Sequence, residues 1–242
     1  MKVLITQSML FPWVGLLEQI SLADVIVFYD DVQFSKGSFT NRVQVKTPAG
    51  VKWMTIPLHN LKLGGVIDSV KSTPAVEWRE RLLALLNRSF EGAPHANDAL
   101  LIAREVYSLE HASIGHLARA SMLSMGNYFG LLKGKRLLDV RELGIDGSGS
   151  KRVLDIIRAI GGSDYITGHG ARNYLDHKSF EESGVRVHYM SYECRPYPQC
   201  WGDFTPFVTA LDLIANLGPD GKHQIASSCV PWREFLSQSN KV

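Results

Sequence analysis

Cysteine is scarce: the 242 residues contain three, Cys194, Cys200 and Cys229. They form an odd set with no C-x-x-C spacing and no histidine at zinc-finger intervals, so reduced thiols and no structural metal are expected. Long apolar runs are missing too. The opening stretch is cut by Thr6, Gln7 and Ser8 before it reaches the length of a secretory signal or a membrane span, which predicts a soluble, cytoplasmic protein. Neither sign of charge dominates. The 26 basic and 24 acidic side chains leave a formal +2, too little to imply a polyanionic partner without a local cluster. Neither a P-loop nor a dinucleotide fingerprint occurs.

What is present is an ordinary globular composition, 45% apolar and 21% charged, in a chain long enough to bury one full core. The pattern predicts an α/β fold with a parallel-rich twisted sheet and flanking helices. One domain over residues 1–242 is expected, with a β-hairpin near 42–57 and a helical insertion near 74–132. Val3 to Thr6 reads as a strand, Val14 to Ala23 as a helix and Val25 to Tyr29 as a buried parallel strand, together a βαβ unit. Period-two stretches flank the turn Thr47-Pro48-Ala49-Gly50, and this hairpin reads as structural. Helical periodicity follows: Trp78, Leu82, Leu85 or Leu86 and Phe90 fall on one face, a second helix covers about Asp98 to Tyr107, and Ile114, Leu117, Ser121 or Met122 and Met125 mark the stripe of a third. His111 and His116 in this block offer no ligand pattern. Later, Lys151 to Ile160 reads as a helix closed by Gly161-Gly162, Asp164 to Thr167 and Val185 to Met190 as strands, and Ala171 to Ser183 as helical. Thr205 and Pro206 resemble a helix start, an N-cap followed by proline.

Four segments could carry chemistry. Gly147-Ser148-Gly149-Ser150-Lys151-Arg152 runs from a flexible loop into a helix, where free amides and the cations would favour phosphate or carboxylate. A capped helix with no ligand explains the same residues equally well. Gly168-His169-Gly170 follows a strand, and the glycines leave the imidazole of His169 reachable as a general acid or base. The segment continues to Tyr174, and a plain turn with a solvent-facing histidine is the competing reading. Gln7 and Trp13 follow the first strand, and Asp30, Asp31, Gln33, Lys36, Asn41 and Arg42 follow the second, so both sets lie beyond strand carboxyl ends, where open α/β sheets bind ligands. The two acids could share a proton, orient an amine or bind Mg²⁺ with a phosphate, or Asp30 could simply end its strand. Tyr197, Gln199, Trp201 and Phe204 form an aromatic and amide-rich loop suited to a sugar or base.

These blocks together resemble the WbqC-like protein family. Gln7-Ser8-Met9-Leu10-Phe11-Pro12-Trp13-Val14-Gly15 is similar to its Q-P-x-Y-x-P-W-x-G pattern, with Ser8 in place of the proline and Leu10 in place of the tyrosine. Asp30-Asp31-Val32-Gln33-Phe34-Ser35-Lys36 and Asn41-Arg42 follow its D-D-V-Q-F-x-K and N-R patterns. Tyr165-Ile166-Thr167-Gly168, Tyr174-Leu175, Tyr197-Pro198-Gln199 with Phe204, and Leu211 to Gly218 look like its remaining blocks. The resemblance implies a transferase of O-antigen or other surface-polysaccharide biosynthesis, moving a glycyl or related aminoacyl group to an amino sugar, free or nucleotide-linked. Ser150, Lys151 and Arg152 would grip the diphosphate, and His169 or Asp31 would take the proton. The expected partner is a phosphorylated small molecule, with no membrane, and with no nucleic acid unless an aminoacyl-tRNA is the donor. No tightly bound cofactor is expected. The alternatives are a nucleotidyl-transferring or ATP-dependent ligating enzyme, which would use Mg²⁺ at Asp30 and Asp31, and a non-catalytic module that carries a sugar intermediate.

Overall fold

The computed structural model describes residues 1–239. Its centre is a six-stranded sheet built from β1 (Lys2–Thr6), β2 (Val25–Phe28), β7 (Arg136–Asp139), β8 (Asp164–Thr167), β9 (Arg186–Met190) and β10 (Cys229–Pro231). The order is β10-β9-β8-β1-β2-β7, and all neighbours are parallel except β10, which pairs antiparallel with β9. The mixed α/β fold, the parallel-rich sheet and the hairpin thus match the sequence expectation. β1, β2 and β8 are buried almost throughout because both faces of the sheet are covered.

Successive side chains divide between two cores. Leu4, Ile26 and Phe28 face a core completed by α1 (Val14–Leu22), α2 (Arg79–Ser89), α3 (Ala96–Ser108), α4 (Ile114–Tyr128) and α7 (Leu211–Leu217). Val3, Ile5, Val25 and Val27 face α5 (Gly149–Ala159), α6 (His177–Glu182) and α8 (Trp232–Ser239) on the other side. Strand alternation therefore holds three layers together. The hairpin joins β3 (Arg42–Thr47) to β4 (Gly50–Thr55), and a smaller one joins β5 (Leu58–His59) to β6 (Lys71–Ser72). Between β3 and β4 the loop is Pro48-Ala49. Thr47 Oγ1 closes it by donating to the Gly50 carbonyl at 2.7 Å, and Gly50 takes the positive φ of 89° that the tight reversal needs.

Two helix expectations need correction. Ala171 to Ser183 is not one helix: a 3₁₀ turn over His169–Asn173 stops, and α6 begins afresh after Asp176, whose carboxylate caps Ser179. Thr205-Pro206 does not start a helix either, since α7 begins at Leu211 after Ala210. The backbone of Thr205 is engaged by Gln199, which accepts from its N–H and donates to its carbonyl, both at 3.0 Å. Pro206 and Phe207 form a turn instead, and Thr209 makes an isolated antiparallel bridge to Trp13.

Candidate active site at the sheet switch point

From β1 the chain builds outward through β2 to β7, then returns to the other side of β1 with β8 and continues to β9. The reversal leaves β1 and β8 adjacent, and beyond their carboxyl ends the connecting segments diverge and leave a crevice. A cleft of about 760 Å³ occupies that place, within the range of small-molecule sites. Gln7 beyond β1 and Gly168, His169 and Gly170 beyond β8 line it, as do Trp13, Tyr174 and the lead-in to α5 at Gly147, Ser148 and Gly149. Segments far apart in sequence thus converge on one cavity.

His169 is oriented by the protein. Its Nε2 lies 2.7 Å from the Met190 carbonyl oxygen. A carbonyl only accepts, so Nε2 carries the proton and Nδ1 is the basic nitrogen of the neutral ring. The ring packs between Tyr192 and Phe235, with centroids 5.1 and 4.8 Å away.

Tyr192 and Gln19 are cleft residues that sequence reasoning missed. Tyr192 sits at a φ of 37°, rare for an aromatic residue, and its ring lies 5.0 Å from that of Trp13. Gln19 Nε2 donates to its hydroxyl at 2.6 Å. Burial, first among several causes, holds the Tyr192 phenol in its neutral form by raising its pKa. A Cβ added at Gly168 would meet the Tyr192 hydroxyl at 2.8 Å. Gly168 has an ordinary φ of −83°, so Gly168→Ala should fold and displace Tyr192. The expected result is a melting temperature within a few degrees of wild type, the loss of one hydrogen bond being worth about 1 kcal/mol, with a much weaker response to cleft ligands.

The remaining expected site residues lie outside the cleft. Asp30 is fully buried (0% exposed) and accepts from the Ser8 N–H at 2.7 Å, the Ser8 hydroxyl at 2.5 Å and Arg119 Nη2 at 2.7 Å. Ser8, where the family pattern has proline, thus supplies an N–H that proline lacks. Arg119 also binds Asp139, which is gripped in turn by Arg141, and Arg141 Nε lies 3.3 Å from Asp68. Asp31 points elsewhere and receives both Nη atoms of Arg152, at 3.0 and 2.5 Å, while that guanidinium covers the Tyr29 ring at the edge of the cleft. Arginines and Ser8 therefore occupy these carboxylate oxygens, and the pair does not fit a divalent metal. Among the described residues no group of three or more His, Cys, Asp or Glu is placed to hold one.

Lys151 reaches Asp155 at the surface, and Ser150 Oγ accepts from the Asp176 N–H, so the cleft meets α5 at Gly149 and Val153 rather than at the expected side chains. Asn41 donates to the Ile56 carbonyl and Arg42 to that of Gly37, while Gln33 and Lys36 are exposed. Tyr197 and Phe204 stand beyond Trp13 in a small separate recess.

Tyr197 and Gln199 instead tie a loop to the hairpin. Tyr197 donates to Asp212 at 3.1 Å, Gln199 donates to the Tyr197 oxygen at 3.1 Å, and Lys46 Nζ donates to Gln199 Oε1 at 3.0 Å. Burial pushes the Asp212 carboxyl up to about 6 from its usual 3.8, against the opposing pull of Tyr197 and Lys46. A raised carboxyl favours the protonated fold, so stability is greatest below the unfolded value and is lost as pH rises from about 4 to about 6. Asp212→Asn keeps the acceptor for Tyr197 and should flatten that slope, a difference on the order of 3 kcal/mol by pH 7 in denaturant titrations.

Among the described residues other depressions include an open groove of about 510 Å³ along α4 beside His116 and Arg119, one of about 300 Å³ beside His59, Lys62 and Lys71, and one of about 250 Å³ beside Trp232 and Arg186. None of these lies at a strand switch point.

Fold and site define the class: a doubly wound α/β protein whose cleft opens at the switch point between β1 and β8. The chain belongs to the WbqC-like protein family, whose model matches residues 7–224. An uncharacterized protein of Mycobacterium tuberculosis, Rv1507c, is 29% identical over 223 residues, covering 90% of this chain and 95% of that protein. The DNA replication and repair protein RecF of Rhizobium meliloti is 28% identical over 154 residues, 57% of this chain and 39% of that one. No solved structure matches. No helix among the described residues is long and apolar enough to cross a membrane.

Proposed function

We propose that this protein is a transferase of surface-polysaccharide biosynthesis. It places a glycyl or related aminoacyl group on the amine of a nucleotide-linked amino sugar, in the cytoplasm. The observation that carries the reading is the cleft itself, which brings an oriented histidine, a helix N-terminus and several aromatic rings to one switch point. The N–H groups at the start of α5 suit the diphosphate, and Trp13, Tyr29 and Tyr174 suit the flat faces of sugar and base. The sugar nitrogen attacks the carbonyl carbon of an activated acyl ester, a C–N bond forms, the ester C–O bond breaks, and the alcohol leaves. Nδ1 of His169 takes the proton released by nitrogen and returns it to the leaving oxygen. Asp31 is the weaker candidate for this work because Arg152 binds both of its oxygens.

Thermal-shift titration tests the reading, since a ligand selective for the native state raises its melting temperature. A UDP-linked amino sugar should stabilise the protein, by about 2.7 kcal/mol at a hundredfold excess over Kd. Stabilisation by ATP with Mg²⁺ alone would replace this reading with that of a ligating enzyme.

A further inference from the structure

The near-neutral total hides a local asymmetry. Residues 32–76 carry six cations, Lys36, Arg42, Lys46, Lys52, Lys62 and Lys71, against one acid, Asp68. Asp68 is largely buried beside Arg141, and Lys46 is buried by the loop that follows Tyr197. Lys36, Lys52, Lys62 and Lys71 are exposed, and among the described residues none of their ammonium groups has an ion-pair or hydrogen-bond partner. The surface of this segment therefore carries charge of one sign.

Large apolar side chains are exposed on the same segment. Phe39 and Trp53 stand together with ring centroids 5.9 Å apart, Val51 lies beside them at the hairpin turn, and Leu61 and Leu63 flank Lys62. Leu63 is 100% exposed. The segment is continuous: Phe34 N–H donates to the Gly65 carbonyl, Gln33 bridges Val66, and Thr73 N–H donates to the Pro57 carbonyl. Solvent-facing aliphatic and aromatic residues interleaved with unpaired lysines, and no exposed acid, match an interface that inserts shallowly among lipids of negative charge. Nucleic acid would meet the same cations, but it offers nothing to Leu61 and Leu63.

We propose that the lobe formed by residues 32–72 docks this protein on the surface of an anionic membrane, with Leu61, Leu63 and Trp53 entering the headgroup layer and the lysines facing lipid phosphates. Phe39 belongs to the lobe and also lines the cleft, so docking brings the mouth of the cleft to the lipid surface. The proposal does not depend on the reaction assigned to the cleft.

Co-sedimentation of the full chain with vesicles tests it without any turnover. Binding should be strong to phosphatidylcholine vesicles containing phosphatidylglycerol, weak to phosphatidylcholine alone, and should fall as salt is added. Removing two cations in Lys52→Gln/Lys62→Gln should lower partitioning about 25-fold, taking roughly fivefold per lysine near an anionic surface. Leu63→Ser should lower it about tenfold, the hydrophobic part of the contact. All three positions are exposed, so unchanged melting temperatures confirm that folding is intact. Equal binding to neutral and anionic vesicles, binding indifferent to Leu63→Ser, or binding to single-stranded RNA without binding to vesicles would overturn the proposal.

Discussion

Arg119→Leu is expected to lower the unfolding free energy by about 3–5 kcal/mol, the cost of stranding a buried charge. The substitution leaves Asp30, with no exposed surface, holding only the Ser8 N–H and hydroxyl. Asp139 loses less because Arg141 still binds both of its oxygens. Arg141, ahead of Arg119, holds the Asp139 carboxyl well below the usual carboxylate range. A depressed carboxyl stabilises the fold above its unfolded value, so that contribution is lost on acidification. Removing both partners in Asp30→Asn/Arg119→Leu should recover most of the loss, since the orphaned charge is gone. Guanidinium titrations read both variants, and a single-variant cost below about 1 kcal/mol would show that Arg119 does not neutralise Asp30 as described.

His169→Ala should reduce kcat for aminoacyl transfer by about 10²- to 10⁴-fold, the usual contribution of a positioned proton-transfer group. Affinity for the nucleotide-linked sugar should change little, because in the proposed reaction the ring moves a proton while the α5 amides hold the phosphates. The split between kcat and binding is diagnostic. Weakened binding with kcat preserved would make His169 a binding residue, and no change in either would move the chemistry to another group. A module that only carries a sugar intermediate would bind normally in wild type and variant and turn over in neither.

The parts of the fold that were legible in the sequence are those buried on both sides. β2 reads as a continuous apolar run, β1 and β8 as short strands, and α2 and α4 as stripes, because burial sets those patterns. β7 and β10 escaped notice because they are short edge strands, mostly exposed or half-buried, with little apolar pattern to detect. The helix start proposed at Thr205 failed for a tertiary reason: Gln199 holds that backbone in another conformation.

The candidate site was legible in part. Gln7, Trp13, Gly168, His169, Gly170 and Tyr174 were placed by strand ends and glycines, and all line the cleft. Asp30 and Asp31 looked like a pair because they are adjacent in sequence. In the fold their side chains diverge, one to Arg119 on α4 and one to Arg152 on α5. Tyr192 and Gln19 carried no sequence pattern, since their meeting depends on the packing of α1 against the segment after β9 and on a positive φ that no local motif announces.

Hydrogen–deuterium exchange with and without a UDP-linked amino sugar tests the central claim, the placement of the site at the β1–β8 switch point. Slower exchange should concentrate at Gly147 to Gly149, Gly168 to Tyr174 and Tyr192. Protection confined to the α4 groove beside His116 and Arg119, or to the depression beside Trp232, would contradict it.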